Sequence, residues 1–192
     1  MYNIYTNIKG DKIMKFFTYG NNKLIHTQST PIYVDSISNK IITDKKSLWG
    51  SSRNKYYSDW FVITLALPML IEHNCSVEGF EYDLDFDNYN IISINKNNYK
   101  DYITDKLLDL KKIGTCDAII FDKELVDTVK EFEGYYVDSV QIFNTDCIKT
   151  WETTKMDIPY ITSNEFRDYV KEKSNRILEH IRGSEIMKLL FK

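Results

Sequence analysis

Cysteine and histidine are scarce in this chain of 192 residues, which has three of each. Cys75, Cys116 and Cys147 form no CxxC pair and lie among apolar neighbours, a pattern typical of buried thiols in a reducing compartment. We therefore predict no disulfide. The histidines are scattered, and none is spaced from another His or Cys as zinc ligands are, so we assign no metal site.

Long hydrophobic runs and blocks of positive charge are also missing. No stretch approaches the ~20 apolar residues of a membrane helix, and charges interrupt the N-terminal region where a signal peptide needs an apolar core. We therefore expect a cytoplasmic protein with no membrane partner. The net charge of −3 includes no basic block, so the usual electrostatic footprint of a nucleic-acid-binding protein is absent.

Several common enzyme motifs are absent as well. The chain has no GxGxxG, GxxxxGK[ST], HExxH or GxSxG sequence. These absences remove the usual signals of dinucleotide-binding folds, phosphate-binding loops, zinc proteases and serine hydrolases.

Apolar and aromatic residues, in contrast, are plentiful at 43% and 14%. That content favours a folded chain over a disordered one, and the length suits one domain over residues 1–192. We expect an α+β core over residues 1–157 and a helical appendage over residues 158–192.

Short strands dominate the prediction for the core. Residues 15–27 read as a hairpin that turns near Gly20, and residues 31–43 continue in short strand-like pieces. Residues 80–86 alternate apolar and acidic side chains, as a half-buried strand does, and further strands are predicted over 90–95, 116–122 and 137–144.

Helices are predicted at three main places. Ser58 is a candidate N-cap for a helix over the apolar run 60–70, although a buried strand fits that run nearly as well. Residues 99–112 show helical spacing and stop at Gly114. Thr162 to Glu165 reads as a capping box before a long helix, and residues 124–133 read as a short helix or a loop.

The order of these elements predicts an α+β fold with a mainly antiparallel sheet and a C-terminal helix. It does not suit a doubly wound sheet.

Two segments contain the residue types that a reactive site needs. GYYVDSVQIFNTDCI (134–148) places Asp138 before an apolar strand, and SLWGSSRNKYYSDW (47–60) combines aromatic rings with hydroxyls. Such rings stack flat ligands, hydroxyls orient sugars, and an acid stabilises a cation. The structural alternatives are tryptophans that fill the core and an acid that caps a turn.

Together, and in this order, these pieces resemble the ADP-ribosyltransferase-like proteins, a toxin-type fold that splits NAD at its nicotinamide bond. The resemblance is closest to uncharacterised bacterial and phage members. It covers about half of the chain, and its residues are Leu48 to Ser52, Asp59 and Trp60, Asp117 to Ile119, Asp138 and Ser139, and Asn144 to Ile148.

The resemblance implies a split sheet of the ADP-ribosyltransferase type, NAD as the substrate, and Asp138 as the catalytic carboxylate in a position where the family usually has Glu. It also implies that Ser51 orients the nicotinamide ribose. The remaining NAD-binding candidates are Trp49, Tyr57 and Trp60 for ring stacking, and Tyr19 and Asn21 on the first strand.

We therefore expect an ADP-ribosyltransferase that acts on a macromolecule, with a protein acceptor slightly preferred over a nucleic acid. A toxin of a toxin-antitoxin or phage-conflict system is the setting that the resemblance implies, with an antitoxin as a partner. The alternative is a non-enzymatic interaction or inhibitor protein. Such a protein would dock a partner through Trp49, Tyr56, Tyr57 and Trp60, or through the C-terminal helix.

Overall fold

The computed structural model describes residues 14–19, 24–66, 78–155 and 163–183. The described part is a mixed α+β structure, dominated by one sheet and containing few helices. The strands are β1 (Phe16–Tyr19), β2 (Pro31–Val34), β3 (Ile41–Thr43), β4 (Leu48–Asn54), β5 (Tyr57–Ser58), β6 (Glu78–Leu84), β7 (Ile91–Ile94), β8 (Ile103–Thr104), β9 (Leu107–Leu108), β10 (Ala118–Phe121), β11 (Ser139–Ile142) and β12 (Ile148–Lys155). The α-helices are α1 (Asp59–Ala66), α2 (Leu110–Ile113), α3 (Lys123–Thr128) and α4 (Asn164–Gly183), and 3₁₀ turns cover Tyr99–Tyr102, Lys130–Tyr135 and Thr145–Cys147.

The main sheet has eight strands in the order β12-β6-β1-β4-β11-β10-β7, with β5 paired to β4. All of its pairs are antiparallel except β10 with β7. The prediction of a mainly antiparallel α+β fold is therefore confirmed.

Strand β4 joins the two halves of this sheet. Its first residues pair with β11, in the register Val140 opposite Gly50, and its next residues pair with β1, in the register Phe17 opposite Ser51. A Cβ on Gly50 would lie 2.9 Å from the Phe17 carbonyl oxygen. Glycine therefore permits the close approach of β1 at the point where β4 changes partner.

The apolar run 60–70 has two predicted alternatives, a helix and a buried strand. Its described part forms the helix, α1. Ser58 Oγ accepts a hydrogen bond from the Phe61 backbone N–H at 3.2 Å, and Asp59 is the acid of the first turn. A side-chain N-cap of this kind satisfies one of the unpaired N–H groups at the helix start.

Helix α4 begins one residue later than the capping-box prediction implies. Ser163 is the cap, since its Oγ accepts from the Phe166 N–H at 3.2 Å, and Thr162 lies outside the described residues. Phe166, Tyr169 and Val170 pack into a cluster with Tyr56 and Phe61, so the first turns of α4 lie against α1.

The prediction of one helix over residues 99–112 is wrong. A 3₁₀ turn is followed there by the β8–β9 hairpin and the single turn of α2. Asp105 and Lys106 have φ values of 50° and 71°, which form a tight hairpin turn without glycine. Gly114, with φ of 68°, does end α2 as its position predicts.

The hairpin predicted over residues 15–27 is also wrong. Strand β1 pairs with β4 and β6, whereas residues 24–27 are not in a strand. The turn predicted at Gly20 to Asn22 lies outside the described part. Residues 31–43, in contrast, do form a hairpin of β2 and β3.

Two of the three cysteines are described, and both are buried free thiols. Burial raises the pKa of Cys116 and of Cys147 to about 12. Their predicted burial is confirmed, and Cys75 lies outside the described residues. In the described ranges, no helix is long and apolar enough to cross a membrane.

Candidate active site

A cavity of about 570 Å³ lies over β3, β4 and β11. Its volume falls within the range of roughly 300–1,000 Å³ that is common for small-molecule sites. The cavity is lined by Lys40, Ile41, Ile42, Thr43, Lys45, Lys46, Ser47, Trp49, Gly50, Trp60, Tyr135, Ser139 and Gln141. Both tryptophans proposed for ring stacking, Trp49 and Trp60, are therefore on its wall.

The pairing of β4 with β11 brings the two predicted segments together. Gln141 lies opposite Trp49 and Val140 opposite Gly50, so the start of β11 lies beside the middle of β4. One residue before that start, Asp138 accepts a hydrogen bond on Oδ2 from the Ser52 backbone N–H at 2.8 Å. The candidate catalytic acid and the serine-rich strand are thus in direct contact.

Asp138 is a buried acid next to Ser139 of the cavity lining. Its side chain is mostly buried, and that burial is the main cause that raises its pKa above the ordinary value of 3.8. The Asp59 carboxylate raises the pKa further, while hydrogen bonding by Ser52 and the Lys123 ammonium oppose the shift. Asp138 itself does not line the cavity, although its neighbour Ser139 does.

Ser51 lies next to the cavity wall but its hydroxyl faces the helix. The residue is fully buried, and Oγ accepts a hydrogen bond from the Trp60 N–H at 3.3 Å. Ser51 therefore fixes the first turn of α1, and with it the backbone of Trp60. The structure places this predicted ribose-orienting residue beside the cavity and not in its lining.

Of two further predicted NAD-binding residues, Tyr57 lies in the core and Tyr19 is partly buried against it. Tyr57 is buried against Phe17 and Phe61, and the Arg53 guanidinium lies 4.9 Å from its ring centroid. Tyr19 packs on Phe61 with a centroid distance of 5.4 Å. Neither tyrosine lines the cavity. Asn21 lies outside the described residues.

The lining also contains three lysines and one glutamine that the sequence analysis does not predict. Lys40, Lys45 and Lys46 flank the cavity on the side of β3, and Gln141 lies in its floor. The Lys40 ammonium is 5.6 Å from the ring centroid of Tyr136, and burial lowers its pKa. The sequence around Lys45 and Lys46 does not indicate this site, because Ser139 and Gln141 of the same lining are far away along the chain.

A second cavity of about 490 Å³ adjoins the first. It is lined by His26, Thr27, Gln28, Lys45, Lys46 and Asp146. Lys45 and Lys46 belong to both cavities, so two exposed ammonium groups lie between them. This arrangement suits an elongated ligand with negative charge at its middle.

Asp59 lies near the same edge of β4, in a saturated polar cluster. Its Oδ1 accepts from Asn54 Nδ2 at 2.8 Å and from the Tyr169 hydroxyl at 2.7 Å. Its Oδ2 accepts from Lys173 at 2.8 Å and lies 3.5 Å from Lys123. Asp59 therefore links the start of α1 to α4 through the hydrogen bonds from Tyr169 and Lys173.

The pKa of Asp59 shows the effect of these partners. Burial alone would raise the pKa, but the hydrogen bonds from Lys173 and Tyr169 and the charges of Lys173 and Lys123 outweigh it and lower the pKa. Neither Lys173 nor Tyr169 was identified as a polar partner from the sequence, because both belong to an amphipathic helix whose role was left open.

Comparison with protein-family models, with curated proteins and with solved structures found no match for this chain. Function is therefore inferred from the residues and their geometry.

Proposed function

We propose that this protein is an ADP-ribosyltransferase that splits NAD and transfers ADP-ribose to a macromolecule. The observation that carries the proposal is the contact of Asp138 with Ser52, at the edge of a cavity whose walls include Trp49 and Trp60. The fold type that goes with it is the split sheet of that family, and the change of partner along β4 supports this layout.

The chemical step requires a carboxylate beside a sugar. The C–N bond between nicotinamide and the ribose breaks, and its electron pair leaves with neutral nicotinamide. The oxocarbenium ion that remains on the ribose is captured by a nucleophile of the acceptor, which loses a proton. A carboxylate close to the developing positive charge lowers the barrier. Asp138 is the carboxylate in contact with the strand that resembles the family's serine-bearing strand.

The two cavities suit the shape and charge of NAD. A flat ring fits against Trp49 or Trp60, since aromatic faces favour stacked cationic rings. Lys45 and Lys46, between the cavities, have the charge that a diphosphate needs. The adenosine end would then occupy the second cavity.

The acceptor is proposed to be a protein rather than a nucleic acid. The net charge of −3 without a basic block gives no general attraction for a polyanion. A toxin of a toxin-antitoxin or phage-conflict system, opposed by an antitoxin, is the setting that we infer from the family resemblance.

Nicotinamide release from NAD tests the proposal without knowledge of the acceptor, because water can capture the ribosyl cation. The wild-type protein is expected to release nicotinamide, and Asp138→Asn to do so at least about 100-fold more slowly. Asp101→Asn, a change at an exposed acid that lines neither cavity, serves as the matched control. Labelled NAD in a cell lysate then identifies the acceptor.

An absence of both nicotinamide release and label transfer by the wild-type protein would overturn the proposal. Equal rates for wild type and Asp138→Asn would exclude Asp138 as the catalytic carboxylate. The alternative of an interaction protein has less support, since Tyr56 and Tyr57 are buried and do not form a surface cluster with the two tryptophans.

A further inference from the structure

Lys40 places an amine on the wall of the larger of the two cavities, directly before β3. Its Nζ lies 6.0 Å from the ring centroid of Tyr135 and 5.6 Å from that of Tyr136. Tyr135 also lines the cavity and packs on Trp49, with ring centroids 6.3 Å apart. The amine therefore lies at the aromatic wall of a space that is large enough for a small molecule.

The backbone around Lys40 is held in place by hydrogen bonds. The Lys40 carbonyl oxygen accepts from the Asp35 N–H at 2.9 Å, which closes the hairpin of β2 and β3. The preceding residue, Asn39, donates from Nδ2 to the Glu131 carbonyl oxygen at 2.8 Å and accepts on Oδ1 from the Leu108 N–H at 2.7 Å. A reactive side chain needs a fixed support of this kind.

The charged form of Lys40 has little support from its neighbours. Among the described residues, no carboxylate lies at ion-pair distance from its ammonium group, which donates no hydrogen bond. Burial lowers the pKa of Lys40, and the charge of Asp35 only partly opposes this shift. The Asp35 carboxylate itself accepts from the N–H and the hydroxyl of Ser38. Lys15, in contrast, donates a hydrogen bond to Glu152, which raises its pKa.

The other lining residues indicate which ligand this amine would meet. A neutral amine is a nucleophile, and a lysine in partly apolar surroundings condenses with carbonyl compounds. Lys45 and Lys46 are exposed lysines of the same lining, and two ammonium groups match the charge of a phosphate. Trp49 and Trp60 provide faces for a flat ring. The cavity therefore combines a nucleophile, an anion-binding edge and a ring-binding wall.

We propose that Lys40 forms an imine with an aromatic aldehyde that carries a phosphate group. Nζ of the neutral amine attacks the carbonyl carbon and a C=N bond replaces the C=O bond. The carbonyl oxygen leaves as water with the two amine protons, so the step needs no oxidant or reductant and water reverses it. This reaction goes beyond the proposed function and does not depend on it, although the aldehyde would occupy the same cavity as NAD.

Pyridoxal 5′-phosphate is the probe that tests the proposal, since it unites an aldehyde, a flat ring and a phosphate. The wild-type protein is incubated with the probe, the imine is reduced with borohydride, and peptide mass spectrometry gives the modified fraction of each lysine. Lys40 is expected to be modified at least about 10-fold more than Lys15, an exposed lysine that lines neither cavity. Modification of Lys40 should also begin at lower pH, because its pKa is the lower of the two.

A second probe and three variants locate the reaction. Deoxypyridoxal, which keeps the ring and the aldehyde but lacks the phosphate, is expected to lose most of the preference for Lys40. Lys40→Arg keeps the positive charge but removes the primary amine, so the absorption band of the imine should disappear. Lys45→Gln combined with Lys46→Gln should reduce modification of Lys40 by the phosphate probe alone. Lys15→Arg is the matched control and should leave it unchanged.

Several outcomes would overturn the assignment. Equal modification of Lys40 and Lys15, or greater modification of Lys45 or Lys46, would show only the general reactivity of amines. Equal modification of Lys40 by the two probes would exclude the phosphate, and an imine band that Lys40→Arg retains would exclude the residue. The wild-type comparison decides the matter even if Lys40→Arg does not fold. No NAD is present, so nicotinamide release without modification of Lys40 would support the proposed function and refute this site, and the reverse result would do the opposite.

Discussion

Two buried aspartates lie near the same end of β4, and their surroundings differ. Asp59, at the start of α1, accepts hydrogen bonds from Asn54, Tyr169 and Lys173 and also contacts Lys123. Asp138, before β11, accepts from the Ser52 backbone N–H, and among the described residues no ammonium group lies at ion-pair distance from it. Burial is similar, at 4% and 7% exposure, but the pKa of Asp59 is lowered and that of Asp138 is raised.

The comparison teaches that burial alone does not assign a role to an acid. The partners of Asp59 satisfy its charge, so it contributes to stability and has little capacity left for a ligand. Asp138 has fewer polar partners among the described residues, so its ionised form is a cost to the fold and an advantage for stabilising a cation. Opposite responses to the same substitution are therefore expected at the two positions.

The largest effect is expected for Asp59→Asn. The change leaves the Lys173 ammonium buried without its carboxylate and is expected to destabilise the fold by about 3 kcal/mol, as measured by chemical denaturation. Glu165→Gln, which removes the exposed ion pair with Lys55 but keeps an acceptor for the Tyr56 hydroxyl, is the control and should have a much smaller effect. A small effect of Asp59→Asn would show that the polar cluster does not hold α4 in place.

A smaller loss is expected for Ser163→Ala. This change removes the N-cap of α4 and is expected to cost about 1 kcal/mol in the same measurement. Hydrogen exchange should show earlier opening of the first turn of α4, with the sheet unchanged. If Ser163→Ala were as damaging as Asp59→Asn, the cap rather than the buried acid would be the main attachment of the helix.

The smallest change, and one of opposite sign, is expected for Asp138→Asn. Because the folded state raises the pKa of Asp138, the wild-type protein loses stability as the pH rises above 3.8 and through the raised pKa. Asp138→Asn should therefore have the higher Tm at pH 7, and this advantage should vanish below pH 3.8. A lower Tm at pH 7 would contradict the comparison.

Asp59 should show the reverse dependence on pH. Its folded pKa lies below 3.8, so its contribution is fully present above that value and is lost as the pH falls through the lowered pKa. The difference in stability between wild type and Asp59→Asn should therefore shrink on acidification. Thermal melts over a series of pH values distinguish the two acids, because their contributions to stability change with pH in opposite directions.

Local signals in the sequence predicted much of the sheet and the start of α1. Ser58 and the acid after it form a helix start that needs no long-range information, and the alternation over residues 80–86 identifies β6. The helix predicted over residues 99–112 failed because a tight turn at Asp105 and Lys106 uses positive φ without glycine. Apolar spacing does not reveal such a turn.

The site was predicted only in part, for a similar reason. Trp49, Trp60 and Asp138 lie on segments with a recognisable order, whereas Gln141 reads as an ordinary residue of a buried strand. Gln141 lies in the cavity lining, where it donates hydrogen bonds to Ile41 and Ser47, about 100 residues earlier in the chain. Contacts of that range are set by the fold and not by neighbouring residues.

The contacts of α4 with Asp59 also constrain the order in which parts of the protein fold during synthesis. Asp59 precedes Tyr169 by 110 residues and Lys173 by 114 residues. During synthesis, Trp60, which lines the cavity, leaves the ribosome before the residues of α4 that neutralise the adjacent Asp59. The polar contacts at the start of α1 are therefore completed only after the last described helix has left the ribosome, and a chain interrupted before Tyr169 leaves Asp59 without two of its partners.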